Sequence, residues 1–227
     1  MENNKSPYLC ISKEHLAELP LANYNGRVCV VDKDYQIEKA VSDIMQYKMI
    51  GFDTETRPSF KKGIVNQVAL LQLATPDCCY LFRLNLLKNI EKVISIMEDA
   101  SILKIGLSIH DDFHTMRKLV DFHPQSFIDI QSYIKNFKIA DNSLAKIYGI
   151  LFGKRISKSQ RLTNWEADFL TVAQQNYAAL DALACLEIYQ YLESGVFEPM
   201  LSPYLTYPTE ENILSCGSTQ VESDITQ

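Results

Sequence analysis

Three features are missing from this sequence of 227 residues, and each absence argues against a class of protein. No apolar run approaches the length of a membrane span, and the polar start, residues 1–5, is not followed by the apolar core of a signal peptide. No CxxC pair or Cys/His pattern with zinc-ligand spacing occurs. The formal net charge is -6, so basic residues are not in excess. This charge argues against a protein that binds nucleic acid by charge neutralisation alone. We therefore expect a cytoplasmic protein without a zinc site of this kind.

The overall composition is that of an ordinary globular protein, with 47% hydrophobic and 22% charged residues. A chain of this length can form one large domain with a substantial core, or two small ones. Its six cysteines are predicted to be reduced thiols, since no export signal is seen. From Thr209 to Gln227 there are four acids and no Lys or Arg, which predicts a disordered acidic tail.

Apolar runs alternate with amphipathic segments along the chain, which predicts an α/β fold. Short apolar runs predict strands at 27–31, 49–54, 67–74, 79–83 and 101–106. Helical spacing predicts helices at 35–47 and 86–97, a mostly helical region over 108–193, and a last helix capped near Asp168. The turn at 75–77 predicts that the second, third and fourth strands form a meander.

Acidic residues occur at three places where they are predicted to face one cleft. Asp53 and Glu55 end a buried strand, and residues i and i+2 of a strand face the same side. Asp111-Asp112 follow another buried strand, while Tyr177 and Asp181 lie one turn apart on the last helix. Acids at the edge of a core need compensation, and a pair of divalent cations held by carboxylates suits phosphodiester hydrolysis.

Together these segments resemble the DEDD exonucleases of the ribonuclease H-like fold. The resemblance is to the tyrosine-bearing subgroup that includes ribonuclease D and the Werner syndrome exonuclease domain. It covers roughly residues 27–195, and its motifs are at 50–55, 104–112 and 165–182. It implies a mixed central sheet flanked by helices. The implied organisation is an N-terminal extension at 1–26, an exonuclease domain at 27–207 and an acidic tail at 208–227.

The resemblance implies a metal-dependent 3′–5′ exonuclease that releases nucleoside 5′-monophosphates from nucleic acid with a free 3′ end. DNA is favoured over RNA because residues 62–82 are most similar to the Werner-type domain. By this resemblance Asp53 bridges two Mg²⁺ or Mn²⁺ ions, Glu55 and Asp181 complete one site, Asp112 holds the second ion, and Tyr177 orients the attacking water. The alternative is a catalytically silent nucleic-acid-binding or scaffolding module of the same fold, although such a module has no need of clustered acids.

Two aspects of the site are left open by the sequence. Either Asp111 or Asp112 could be the metal ligand; the spacing from Gly106 in the resembling motif favours Asp112, and Asp111 would then be a first-turn acid stabilised by the helix dipole. The substrate contacts are also open, because each candidate could equally be solvated or packed in the core. These candidates are Phe60, Lys61 and Lys62, with Phe60 able to stack on a base, and the basic residues Lys154, Arg155, Lys158 and Arg161.

Overall fold

The computed structural model describes residues 6–59 and 66–208, which form two compact units. The first unit contains residues 6–22, 131–156 and 191–208, and the second contains residues 23–59, 66–130 and 157–190. Phe60, Lys61, Lys62 and residues 209–227 of the predicted tail lie outside the described residues. Within the described ranges, no helix combines the length and the apolar character that crossing a bilayer requires. The predicted domain bounds stay a prediction.

The helices and strands follow one another in the alternation that the sequence predicts. In chain order they are β1 (Tyr8–Leu9), α1 (Lys13–Glu18), β2 (Arg27–Val31), α2 (Asp34–Ile44), β3 (Met49–Thr56), β4 (Val68–Ala74), β5 (Cys78–Phe82), α3 (Glu91–Glu98), β6 (Leu103–Gly106), α4 (Ile109–Met116), β7 (Phe127–Asp129), α5 (Ile130–Tyr133), α6 (Leu144–Phe152), α7 (Val172–Glu193) and β8 (Leu205–Thr206). Short 3-10 turns occur at Ile134–Phe137 and Pro199–Leu201.

The second unit is built on a six-stranded mixed sheet with the order β2-β5-β4-β3-β6-β7. Strands β3, β4 and β5 form the predicted antiparallel meander, with Asp53 opposite Gln72 and Leu73 opposite Tyr80. The outer pairs, β2 with β5, β3 with β6 and β6 with β7, are parallel. The predicted α/β class with a mixed central sheet is confirmed by this arrangement.

Two apolar cores cover the two faces of this sheet. On one face, Phe52, Leu71 and Leu73 of the sheet belong to a cluster with buried residues of α2, α3 and α4. On the other face, Leu70 and Ala74 belong to a cluster with alanines of α7 and with Trp165. All seven residues of β4 are buried, as expected for a central strand with helices on both sides.

Two glycines allow close approaches within the second unit. A Cβ atom at Gly51 would lie 1.9 Å from the backbone oxygen of Ala182, so the backbone of α7 packs directly on β3. A Cβ atom at Gly106 would lie 2.7 Å from Ile109 Cγ2 and 2.8 Å from Phe52 Cδ1. Both positions therefore require glycine, and the first one sets how closely α7 approaches β3.

The structure corrects two helix starts and the helical content of the region 108–193. In that region Phe127–Asp129 forms β7, because it pairs parallel with β6 at the edge of the sheet. Helix α3 begins at Glu91 rather than near residue 86, because the Lys88 and Asn89 amides donate to Asp34 Oδ1 in a turn. Helix α7 begins at Val172 rather than near Asp168. Thr171 Oγ1 accepts a hydrogen bond from the Gln174 amide at 3.2 Å, and Gln174 Oε1 accepts one from the Thr171 amide at 3.0 Å. Residues 153–171, predicted to be helical, are mostly irregular.

The first unit contains a buried ion pair. Strand β1 pairs antiparallel with β8. Asp141, which is 3% exposed, accepts hydrogen bonds from the Ile11 amide at 2.9 Å and from Lys146 Nζ at 2.6 Å. Both carboxylate oxygens therefore have a partner within this unit.

The thiols only partly follow the expectation of six reduced cysteines. Four cysteines, at positions 29, 78, 79 and 185, are free thiols. Cys10 is disulfide-bonded, so the expectation is wrong at that residue.

Candidate active site

The first two acids of the site come from the end of β3. Asp53 is paired with Gln72 and Glu55 with Leu70, so both acids lie on the sheet face that α7 covers. The register of β3 against β4 shifts directly after Glu55, where the ladder becomes irregular. As the alternation of side chains along a strand predicts, both carboxylates lie on the same side of β3.

Helix α7 brings the third acid to this pair. One carboxylate oxygen each of Asp53, Glu55 and Asp181 lies within 4.8 Å of the other two. Asp181 is 7% exposed, and its Oδ1 is buried without a hydrogen-bond partner. The close approach of α7 at Gly51 explains this meeting, because Ala182, whose oxygen touches the glycine, is the next residue after Asp181.

Burial raises the pKa of all three acids of this group. Burial, followed by the charges of Asp181 and Asp112, raises the pKa of Asp53 well above its ordinary value and that of Glu55 to about 9. Burial also raises the pKa of Asp181 to about 7, against the lowering effect of a hydrogen bond from Tyr177. Three converging carboxylates offer only oxygen ligands, the donor set that Mg²⁺ and Mn²⁺ prefer, and the unpartnered Asp181 Oδ1 is a free ligand atom.

The second motif places Asp112 next to these acids. The Thr54 hydroxyl of β3 donates a short hydrogen bond to Asp112 Oδ1. Burial raises the pKa of Asp112 to about 7, and Asp112 in turn raises the pKa of Asp53 and Glu55. Asp111 is exposed, whereas Asp112 is half-buried. The structure thus brings Asp112 to the site and leaves Asp111 in solvent, although Asp112 is not part of the three-oxygen group.

The start of α4 is fixed by an acid that the sequence analysis did not single out. Asp129, at the end of β7, accepts hydrogen bonds from the Ser108 amide at 3.1 Å and the Ile109 amide at 3.3 Å. Ser108 has φ of 61°, a left-handed conformation that is uncommon outside glycine. The two bonds to Asp129 stabilise this turn, which sets the direction of the first turn of α4 and therefore of Asp112.

Tyr177 lies one turn before Asp181 on α7, as predicted, and its hydroxyl is hydrogen-bonded to the Asp181 carboxylate. Burial and then the charge of Asp181 raise the pKa of this phenol above its ordinary value. Its ring centroid is 6.1 Å from that of Trp165, and the rings are tilted by 34°. Trp165 is fully buried.

Several residues that hold the segment before α7 were not predicted. Arg57 forms an ion pair with Glu166 at 3.2 Å, and the fully buried Arg83 donates a short hydrogen bond to the Ala167 oxygen. Gln174 Nε2 donates to Thr163 Oγ1 at 3.0 Å. The sequence does not show which partner a single basic residue such as Arg83 will have. The Thr-x-x-Gln capping pattern around Gln174 was therefore the one sequence signal that could have pointed to these contacts.

The candidate substrate contacts divide into separate groups. Lys158 and Arg161 are exposed and act on the site acids, since Lys158 lowers the pKa of Asp181 and Arg161 lowers that of Glu55. Lys154 and Arg155 belong to the first unit, where Arg155 Nε donates to the Leu19 oxygen at 3.0 Å. The three candidates at 60–62 lie outside the described residues. All of these substrate contacts stay predictions.

Comparison with known proteins identifies a family that covers most of the chain. The sequence profile of the 3′-5′ exonuclease family matches residues 28–196. The chain belongs to this family. Its members hydrolyse phosphodiester bonds in nucleic acids, and the matched range includes the four acids and Tyr177 described above.

Individual relatives agree with the family assignment. The chain is 30% identical to the mouse bifunctional 3′-5′ exonuclease/ATP-dependent helicase WRN over 81% of its own length and 14% of the relative's. It is 28% identical to the exonuclease mut-7 homolog of Aedes aegypti over 78% of its own length and 28% of the relative's. The chain thus spans less than a third of either relative. The crystal structure of the Aedes aegypti Nibbler EXO domain shares the fold, with a TM-score of 0.68 and 24% identity, over 79% of this chain and 96% of that domain.

Proposed function

We propose that this chain is an active, metal-dependent 3′–5′ exonuclease that prefers DNA and releases nucleoside 5′-monophosphates. The observation that carries the proposal is the partly buried group of Asp53, Glu55 and Asp181, whose carboxylate oxygens converge within 4.8 Å. Buried like charges destabilise one another unless a ligand offsets them. Among the residues that the structure describes, no basic side chain forms an ion pair with these three acids, and a group of this kind is suited to binding cations.

The residues of the site fit a pair of Mg²⁺ or Mn²⁺ ions. Asp53, Glu55 and Asp181 would hold one ion, and Asp53 with Asp112 would hold the other. Bound divalent cations supply Lewis acidity towards a phosphodiester and offset the charge of the acids. The hydrogen bond from Thr54 keeps Asp112 in a fixed orientation, so that this acid does not have to be ordered when the site fills.

The remaining residues of the site position the reactants. The hydroxyl of Tyr177 has a proton to donate, because a phenol with an ordinary pKa near 10 stays protonated at neutral pH. It lies at Asp181 and is suited to orienting the attacking water towards the scissile phosphate. Lys158 and Arg161 are exposed and act electrostatically on the same acids, so they are suited to binding the phosphate backbone on the open side of the site.

The preference for DNA rests on sequence likeness alone. The WRN relative is described as an exonuclease joined to a helicase, and the sequence of residues 62–82 is of the Werner type. No side chain among the described residues of the site has been shown to read a 2′-hydroxyl group. DNA is therefore the substrate to test first, with RNA of the same sequence beside it. The cytoplasmic location also stays a prediction.

The test is digestion of oligonucleotides that carry a label at the 5′ end. With millimolar Mn²⁺, the full chain should shorten single-stranded and recessed DNA stepwise and release mononucleotides, and chelation by EDTA should stop the reaction. A phosphorothioate bond at the 3′ terminus should slow the reaction, whereas one at the 5′ terminus should not. Faster digestion of the matched RNA would contradict the DNA preference only.

The matched control is Asp53→Asn, which keeps the size of the side chain and removes its charge. If wild-type protein and this variant degrade the substrates equally, the activity comes from a contaminant and the catalytic proposal is wrong. If wild-type protein binds the oligonucleotides but leaves them intact with both Mg²⁺ and Mn²⁺, the chain is the catalytically silent binding module.

A further inference from the structure

One polar side chain of the central sheet has no evident structural purpose. Gln72 is the only polar residue in β4, whose other residues are Val, Leu and Ala. It is fully buried, and neither its Nε2 nor its Oε1 has a hydrogen-bond partner. Burying an amide without partners costs about 1–3 kcal/mol, and a leucine or methionine at this position would avoid that penalty.

The register of the sheet places Gln72 beside the acids. It is directly opposite Asp53 in the antiparallel β3–β4 pair, so the two side chains lie on the same face with Cβ atoms about 5 Å apart. That face is the one α7 covers, because Leu70 and Ala74, two residues before and after Gln72, pack in the α7 cluster. Asp53 is the acid whose pKa rises because of burial and three neighbouring acids.

We propose that Gln72 is a positioning residue for Asp53: when a divalent cation binds, the Gln72 carboxamide nitrogen donates a hydrogen bond to the Asp53 carboxylate and holds it in the orientation that binds the ion. This inference rests on the proposed metal-dependent function. An amide suits the task, because it donates a hydrogen bond without adding a charge to a cluster of acids. A lysine would neutralise the acids and compete with the cation, and an aliphatic side chain would leave Asp53 free to rotate.

A second buried polar group without a partner belongs to the apolar cluster on this face. Trp165 Nε1 is a buried donor without a partner, and Trp165 belongs to the cluster that packs around β4 on this face. The Gln72 carbonyl oxygen is an acceptor without a partner. A donor from Trp165 would fix which way the amide points, with its nitrogen towards Asp53.

The experiment measures cation binding directly, so it does not depend on activity. Mn²⁺ is titrated into the metal-free full chain by calorimetry for wild-type protein, Gln72→Met and Leu73→Met. Methionine keeps the length of the glutamine side chain and removes both hydrogen-bonding groups. Leu73→Met is the matched control, since it is the next residue, equally buried, and lies on the opposite face of the same strand.

Gln72→Met should weaken Mn²⁺ binding by about 10-fold or more, the usual effect of removing a partner that orients a ligand. Its metal-free melting temperature should be unchanged or higher, because an unpaired buried amide is gone. Leu73→Met should bind Mn²⁺ within about 2-fold of wild-type protein by the same reasoning. Gln72→Met binding within that same range would overturn the proposal and leave Gln72 as a packing residue.

A second measurement on wild-type protein covers the case in which Gln72→Met does not fold. The side-chain amide resonance of Gln72 should shift when Mg²⁺ is added, because the carboxylate of Asp53, opposite Gln72 in the β3–β4 pair, becomes a ligand and accepts the hydrogen bond. An unchanged resonance at saturating Mg²⁺ would overturn the inference while leaving the proposed function intact. Wild-type protein that binds neither cation would overturn both the inference and the proposed function.

Discussion

Two buried carboxylates in this molecule have opposite surroundings. Asp141 in the first unit accepts hydrogen bonds from a backbone amide and from the Lys146 ammonium, so its charge is compensated inside the unit. Asp181 in the second unit has an oxygen without a partner and faces Asp53 and Glu55. The two side chains are similarly buried, at 3% and 7% exposure.

The difference between these two acids separates a structural role from a functional one. A carboxylate with all its partners in the chain stabilises the fold and requires no ligand. Carboxylates that converge on one another are destabilised by charge repulsion, which the folding free energy of the rest of the chain must exceed. Such groups are typical of sites that bind metals. The predictions that follow test this distinction at particular residues.

The largest effect is expected at the cluster of Asp53, Glu55 and Asp181, whose charges are not compensated by a basic partner among the described residues. Asp53→Asn removes the carboxylate that both cations would share, and we expect turnover to fall on the order of 10³-fold or more, since metal ions supply several kcal/mol of transition-state stabilisation. The metal-free melting temperature should stay the same or rise, because repulsion among the acids is relieved. Turnover of labelled DNA and thermal unfolding in EDTA are the measurements. A large loss of metal-free stability would contradict the view that this acid is uncompensated.

The compensated acid should show the reverse pattern. Asp141→Asn leaves the partly buried Lys146 charge without its partner, and the free energy of unfolding should fall by about 2–3 kcal/mol. The double variant Asp141→Asn with Lys146→Met should recover part of that loss, because no unpaired charge remains. Chemical denaturation of wild-type protein and the two variants measures this. If the single variant is as stable as wild-type protein, the ion pair contributes nothing and the comparison above fails.

The adjacent acids of the second motif provide a matched pair within one helix turn. Asp112→Asn should lower turnover on the order of 10²-fold, since Asp112 is oriented towards the site by Thr54 and would bind a cation. Asp111→Asn should change turnover by less than about 2-fold, because an exposed side chain of a first turn has only a weak dipole interaction to lose. Steady-state kinetics decide between the two, and the opposite result would mean that the register of α4 is misassigned.

Tyr177→Phe removes one hydroxyl and keeps the ring that packs against Trp165. A hydrogen bond to a charged group contributes about 1.5–3 kcal/mol, so the loss of turnover should be on the order of 10- to 100-fold. Affinity for Mn²⁺ should be nearly unchanged, since a neutral phenol is not a ligand that these ions favour. Turnover and calorimetric Mn²⁺ titration are measured together. Undiminished turnover would assign Tyr177 to the core.

The smallest effect concerns a buried charge of the opposite sign. Lys104 is fully buried, its Nζ donates to the Asp99 oxygen at 2.7 Å, and burial lowers its pKa to about 8. Below pH 8 the lysine is charged in both the folded and the unfolded state, so the whole penalty for burying the charge is present. Between pH 8 and about 10.5 only the unfolded state binds the proton, so stability rises with pH.

Lys104→Met should therefore be more stable than wild-type protein at pH 7, by about 1 kcal/mol after the lost hydrogen bond is subtracted. The advantage should shrink as the pH rises towards 10. Denaturation curves at pH 7, 8.5 and 9.5 measure the difference in the free energy of unfolding between the two proteins. The contributions of other titrating groups cancel in this difference. A difference that does not change with pH would mean that Lys104 does not release its proton in this range.

The sequence was sufficient for five of the six strands of the central sheet, for the motifs and for the type of chemistry, but it missed β7. Continuous apolar runs are typical of buried strands, and β3, β4 and β5 lie within two residues of the predicted positions. The acids could be found because a carboxylate beside an apolar run is unusual. Helix starts were less predictable: α3 begins five residues later than its apolar spacing predicts, because Asp34, 54 residues earlier, holds the Lys88 amide in a turn.

The tertiary structure alone decided how the acids are compensated and which residues support them. The spacing of Asp181 from Asp53 in the chain says nothing of their distance, which depends on the backbone of α7 touching Gly51. In the sequence, Gln72 is simply a polar residue within an apolar strand. Only the β3–β4 register shows that it lies opposite Asp53. The physical reason is that local patterns determine which face a side chain occupies, whereas hydrogen bonds and charge interactions depend on distances that only the packing of sheet and helix defines.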